Sequence, residues 1–286
     1  MRFLLKLLTR IPLPLLYPWA WLIYAVAFHA MRWRRDQAER DVANAFPEKS
    51  DHERADIVRR AYRNLADTIV EAFWGFGASA DALKRRVTIQ NPEIVRQCVD
   101  AGQSVVFLTA HFGNWEWLLL AAGAHFGIAI DVVYQPQRVN AFDDFLREAR
   151  SRFGSRLIPR SEFVYDLLSR AEQIRTYALL ADQTPKHKGD PRHWTQFLHQ
   201  DTAFFVGAGK IAKFLDAKVL YVRMRRVARG RYSVRLEEIA APPFDDVGDV
   251  EIVERYARCL ERDIRESPAD WLWLQKKWKY PRLPGE

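Results

Sequence analysis

Cysteine is nearly absent from this chain. Two residues in 286, Cys98 and Cys259, build neither a disulfide framework nor a four-ligand zinc site. A fold with nothing to oxidise suits a reducing compartment. Glycine (13) and proline (14) are sparse and follow no period, which excludes collagen-like and low-complexity chains. No Gly-x-Ser-x-Gly elbow is present, so a hydrolase-type serine nucleophile is not expected. No His-x-x-x-His or His-Glu-x-x-His pair offers metal ligands, and His187, His193 and His199, six apart, do not share a helix face. Gly207-Ala208-Gly209-Lys210 lacks phosphate-loop spacing and follows no expected strand. The sequence therefore carries an expectation of no metal, no cofactor and no bound nucleotide.

Acidic residues are outnumbered, 36 against 44 Lys and Arg, leaving a formal net charge of +8. At 49% hydrophobic and 28% charged, the composition is globular and long enough for a sizeable core. Ten tryptophans are many; they suit either a membrane interface or a Trp-rich core.

Ile11 to Met31 is a run without formal charge, flanked by Arg2, Lys6 and Arg10 before and Arg32, Arg34 and Arg35 after. Pro12, Pro14 and Pro18 interrupt its first third, so uninterrupted helix is expected from Pro18, which leaves too few residues for a comfortable span of about 20. Three readings fit: a monotopic anchor with its basic flanks on anionic lipid, a spanning helix, or a cleaved signal peptide, for which Ala25-Val26-Ala27 mimics a cleavage site. All three bring the segment to a membrane, and residues 1–35 form the expected anchor.

Residues 36–50 read as a polar bridge closed by a capping box, Ser50-Asp51-His52-Glu53. Ile57, Val58, Ala61, Tyr62, Leu65, Ile69 and Phe73 then predict an amphipathic helix. Beyond Gly77, strands are expected at 104–109, 128–134, 156–158, 176–181, 219–227 and 232–239, the last two as a hairpin over Arg229-Gly230. Helices are expected at 115–125, 140–153, 162–173, 204–215 and 250–266. This alternation predicts an α/β fold, a mostly parallel sheet flanked by helices, with ligands bound beyond the carboxyl ends of the strands.

The first such strand end reads Thr109-Ala110-His111-Phe112-Gly113-Asn114-Trp115-Glu116. The strand delivers His111, Gly113 permits a sharp turn, Asn114 is placed to cap the next helix, and Glu116 falls in its first turn. A carboxylate that orients a histidine and stabilises its protonated form makes a competent base. The same spacing also serves a histidine closing a strand and a glutamate complementing a helix dipole.

His-x4-Glu after an apolar strand resembles the acid–histidine motif of glycerolipid acyltransferases. Asn44 to Glu48, Asn64 and Glu71 precede it; Tyr134-Gln135-Pro136, Arg150-x-Arg152, Ala181-Asp182-Gln183 and Trp271-Leu272-Trp273 follow. In this order the blocks resemble the late (secondary) acyltransferases of lipid A biosynthesis, the lauroyl/myristoyl type, over nearly the whole chain. The resemblance implies a single α/β acyltransferase domain at 36–286, glycerolipid-acyltransferase-like, on the cytoplasmic face of the inner membrane. It implies acyl-carrier protein as donor, a lipid A precursor as acceptor at the 3-hydroxyl of a resident acyl chain, and contact with membrane phospholipids but not nucleic acid. His111 would be the general base with Glu116 as its partner, and Arg150 and Asp182 would complete the catalytic set. Asn114, Gln135, Arg152, Gln183, Lys186 and Lys188 become candidate substrate contacts; Phe204 and Phe205 read either as walls of an acyl groove or as a plain core patch. The loop Gln183 to Gly189 departs from the family pattern, though its cations suit a phosphorylated sugar. A related enzyme acting on another polar lipid, or a non-catalytic membrane-surface binder, are the competing readings. Arg223, Arg225, Arg226, Arg229 and Arg231 on the last hairpin suggest a patch for anionic lipid or an acidic carrier protein.

Overall fold

A computed structural model describes residues 2–185 and 190–282. It opens with α1 (Arg2–Leu8), α2 (Leu13–Ala25), α3 (Arg35–Ala45), the long α4 (Asp51–Gly77) and α5 (Ala80–Lys84). After β1 (Val87–Ile89) and α6 (Glu93–Asp100), strands and helices alternate: β2 (Val105–Thr109), α7 (Trp115–Phe126), β3 (Ile130–Tyr134), α8 (Asn140–Arg150), β4 (Arg156–Pro159), α9 (Phe163–Ser169) and β5 (Thr176–Leu180). The hairpin β6 (Arg192–Phe197) and β7 (Gln200–Phe205), α10 (Gly207–Phe214), the hairpin β8 (Lys218–Ala228) and β9 (Arg231–Ala240), and α11 (Asp249–Glu266) complete the chain.

Seven strands form one sheet in the order β1-β9-β8-β2-β5-β3-β4. β8, β2, β5, β3 and β4 run in one direction; β9 turns back antiparallel to β8 and carries β1 with it. All of β2 is buried, as its unbroken apolar run demands of a central parallel strand. The chain thus has the α/β architecture and mostly parallel sheet read from the sequence. The capping box also forms: the Ser50 Oγ accepts from the Glu53 amide at 3.4 Å and Glu53 accepts from the Ser50 amide at 2.9 Å.

Several expectations give way. The bridge at 36–50 is largely helix α3, whose Ala38, Val42 and Ala45 bury a narrow stripe too small to stand out in the sequence. Helix α2 begins at Leu13 rather than Pro18: Pro14 occupies the first turn, where its missing N–H is not needed, and packing on α4 carries the helix through Pro18. Phe204 and Phe205 lie on β7, and the following helix starts at Gly207. The arginine patch is largely neutralised by its own neighbours. Arg223 meets Asp263 at 3.0 Å and Glu237 at 3.7 Å, Arg225 meets Glu266, Arg226 meets Asp270 at 3.4 Å, and Arg229 meets Asp67 at 2.5 Å. Four of the five arginines in the patch thus meet carboxylates of the fold, and Arg225 and Arg229 remain half exposed.

The C-terminal tryptophans are core. Trp271 and Trp273 are buried edge-to-face at 4.8 Å, with Trp278 at 5.8 Å from Trp271. Phe112 bridges Trp271 in antiparallel fashion, tying the chain's end to the loop after β2.

Candidate active site

Parallel pairing sets the first contact. β2 and β5 are neighbours in register Thr109↔Leu180, and the Ala181 amide donates to the Thr109 carbonyl at 3.0 Å. His111 and Asp182 each stand two residues past that register, so adjacent strand ends present them side by side. The His111 Nδ1 lies 2.8 Å from the Asp182 Oδ1, and the His111 amide donates to the Asp182 Oδ2 at 3.0 Å. With Nδ1–H donating to the carboxylate, the other ring nitrogen, Nε2, is the basic one.

The Asp182 Oδ2 takes two further donors, the Trp271 indole at 3.1 Å and the Gln275 amide at 3.0 Å. Asp182 is completely buried. Burial alone would raise its pKa, but the His111 charge and these hydrogen bonds win and bring it down to about 2. Burial likewise pulls the His111 imidazole down; the Asp182 charge and hydrogen bond, with the charge of Glu116, outweigh it and raise the pKa above the ordinary value. The Trp115 ring meets the imidazole edge-on at 5.2 Å.

Glu116 does not fill the role expected of it. Its carboxylate forms a bidentate pair with Arg150, Nε to Oε2 at 2.9 Å and Nη2 to Oε1 at 2.5 Å, so the carboxylate bonded to His111 is Asp182. The reason is geometric. Glu116 sits in the first turn of α7 and faces the end of α8, where Arg150 is the last helical residue. Burial disfavours the Arg150 cation, but Glu116 more than compensates and raises its pKa.

Helix α7 is held in place from below. Asn114 is fully buried; its Oδ1 accepts from the Trp117 amide at 2.9 Å and its Nδ2 donates to Glu71 at 2.9 Å. Both ends of this side chain serve the scaffold, so it is not a substrate contact. Glu71, also fully buried, accepts from the Tyr232 hydroxyl at 2.6 Å and the Tyr17 hydroxyl at 3.1 Å. Gly113 turns the loop at φ +61°, a conformation that side chains resist. Gly75 lets α4 approach α7 so closely that a Cβ there would lie 2.4 Å from the Trp117 indole nitrogen.

His111, Glu116 and Arg150 line one end of a cavity of about 540 Å³, within the usual ~300–1,000 Å³ of small-molecule sites. Gln135, Gln183 and Phe205 line it too. Much of the rest of its lining is apolar, with Phe107, Leu118, Phe126, Ile130, Val132 and Leu236. Arg152 instead donates to the Phe76 carbonyl at 2.5 Å and secures the end of α4. Phe204 is core, edge-on to Phe197 at 5.2 Å. Lys186 and Lys188 lie outside the described residues. Beside Phe204, the buried Lys277 ammonium stands 3.7 Å from the ring and 3.0 Å from the Ala203 carbonyl; burial lowers its pKa to about 7 against the pull of Asp182. Among the described residues no cluster of three His, Cys, Asp or Glu side chains converges as metal ligands.

Nothing in the sequence points to a role for Gln275 or Tyr232, and Glu71 and Trp271 stand out only as members of motif blocks. Trp271, within the closing Trp-Leu-Trp, was the one signal near the site. Gln275 has none, since nothing local marks a glutamine that folds back onto a strand end 93 residues away.

A base held by a carboxylate at the polar end of an apolar cavity is equipped to deprotonate an alcohol on a lipid. The chain is 25% identical over 259 residues, 88% of its length, to the lipid A biosynthesis myristoyltransferase of Escherichia coli (strain K12), covering 77% of that protein. The lipid A biosynthesis acyltransferase 1 of Shigella flexneri matches to the same extent. The family model described as bacterial lipid A biosynthesis acyltransferase matches residues 2–280, and the chain belongs to that family.

Proposed function

We propose that this acyltransferase moves a fatty acyl group from an acyl-carrier-protein thioester to the 3-hydroxyl of an acyl chain on a lipid A precursor, at the cytoplasmic face of the inner membrane. The observation that carries the mechanism is the His111–Asp182 pair at the polar end of the apolar cavity.

His111 Nε2 takes the proton of the acceptor hydroxyl as its oxygen attacks the thioester carbonyl. Asp182 holds the tautomer that leaves Nε2 free and balances the imidazolium that forms. The new C–O bond creates a tetrahedral oxyanion. Arg150 spends Nε and Nη2 on Glu116, which leaves Nη1 for that oxyanion or for a substrate phosphate. Collapse breaks the C–S bond, and the departing thiolate recovers the proton from Nε2. Because the thioester is already activated, no covalent enzyme intermediate is required. The apolar wall accommodates an acyl chain, and Glu116 acts through Arg150 and through its charge on His111.

The test is transfer from acyl-carrier protein to a tetraacylated lipid A precursor, read by mass spectrometry of the product. His111→Ala is expected to lose about two to four orders of magnitude in kcat, the usual worth of a positioned base. Near-normal turnover by the purified variant would eliminate the mechanism.

A further inference from the structure

Helix α2 and its continuation to Ala30 have two apolar faces and no polar one. One face is packed inward: Leu13, Leu16, Ala20, Tyr24 and Phe28 are buried. The other is a stripe at spacings of four, three and four: Leu15, Trp19, Leu22 and Val26, exposed at 62, 59, 47 and 41%. At about 100° per residue, the two sets fall on opposite sides of the helix. A surface helix in water presents a charged or polar outer face. This one presents leucine, tryptophan and valine instead, and Trp21, Met31 and Trp33 extend the exposed apolar surface.

Leu13–Ala30 has the length and hydropathy to be a candidate span. Its packing decides otherwise. The inward face lies along α4 in antiparallel fashion: the Tyr17 hydroxyl meets Glu71 at 3.1 Å, the Tyr24 ring lies 5.1 Å from the Arg63 guanidinium, and Phe28 lies edge-on to Tyr62 at 5.2 Å. Partner numbers on α4 fall as those on α2 rise, so contact persists along most of the segment. A spanning helix would draw this stretch of α4 into the bilayer beside it, with Arg63, Asp67 and Glu71, and charges in hydrocarbon are costly.

We infer that α2 lies flat on the membrane as a monotopic lipid-binding ridge, inner face fixed to α4 and outer stripe immersed in one leaflet. The occupant is a lipid surface. Tryptophans at the stripe and its ends suit the interfacial zone, and the exposed Arg10 and Arg32 at either end suit anionic headgroups. The inference rests on the reading of a lipid acceptor, which the same leaflet would supply.

Two experiments on the full-length protein test it. Trp19→Glu with Leu22→Glu is expected to reduce co-sedimentation with vesicles of phosphatidylcholine and phosphatidylglycerol by at least about a hundredfold, with the melting temperature unchanged. Undiminished vesicle binding overturns the proposal. So does a switch from dimer to monomer with lipid binding intact, which would make a second copy the occupant. In the second experiment, single cysteines at Arg10→Cys and Asp36→Cys are labelled with a membrane-impermeant maleimide in sealed vesicles of both orientations, with wild type as background. Access to both from the same side supports a helix in the membrane plane; access from opposite sides establishes a span and overturns it. Activity of the glutamate variant on detergent-dispersed acceptor reports separately on the acyltransferase reading, because that assay needs no bilayer.

Discussion

Replacing Asp182 by asparagine changes one oxygen to an NH2 group, and the surroundings dictate which. The Oδ2 position faces three donors, the His111 amide, the Trp271 indole and the Gln275 amide, all within 3.1 Å. An NH2 group there would strand three buried donors at about 1–3 kcal/mol each. The asparagine oxygen therefore takes that position and its NH2 points at Nδ1. Nδ1 must now accept, the ring proton moves to Nε2, and the atom meant to receive the substrate proton already carries one. The negative charge that would balance the imidazolium is gone as well. A comparable amide substitution in serine proteases costs about 10⁴ in kcat through the wrong tautomer. A loss of about three to four orders of magnitude is expected here, ~4–5.5 kcal/mol at 1.36 kcal/mol per decade. Its signature is a fall in kcat with little change in the acceptor KM, while ¹⁵N shifts of His111 report a proton on Nε2. A variant within tenfold of wild type, or one with its proton still on Nδ1, would refute the argument.

The remaining predictions concern the same neighbourhood. Arg150→Ala strands the Glu116 carboxylate and should lower kcat/KM by about a hundredfold or more, whereas exposed Arg147→Ala should cost less than about tenfold; Arg150→Lys should rescue only in part, because the fork that grips Glu116 is lost. Equal small losses for the two alanine variants would place Arg150 outside the chemistry. Gln275→Met removes one donor from Asp182, making the carboxylate a stronger partner for the imidazolium. The acid limb of the kcat/KM profile should then move up by about half to one pH unit with KM unchanged, and an unmoved limb would count against a positioning role. Lys277 titrates near 7 in the fold against an ordinary 10.5, so between those values the unfolded chain holds a proton that the folded chain lacks and stability rises with pH. Lys277→Met should flatten that rise and increase Tm at pH 6; a Tm that falls at pH 6 would show that the ammonium's contacts outweigh its burial.

The local pattern of residues determined the alternation of strands and helices, the capping box and the strand end that presents His111, because periodicity and capping depend on neighbours within a turn or two. It determined the apolar character of the N-terminal segment for the same reason, but not which way that segment lies. Only the tertiary structure decided the partners. Glu116 is five residues from His111, yet the carboxylate bonded to the imidazole comes from Asp182, because β2 and β5 are adjacent in a sheet whose strand order the sequence does not spell out. Arginines that look like an open patch on the β8–β9 hairpin are spent on carboxylates from α4 and α11. Gln275 reaches the site because the end of the chain folds back along the loop after β2. Helix propensity and charge are local and additive enough to read along a chain. Which charge meets which, and which face of an apolar helix remains uncovered, depends on contacts between distant residues, which exist only once the sheet is assembled.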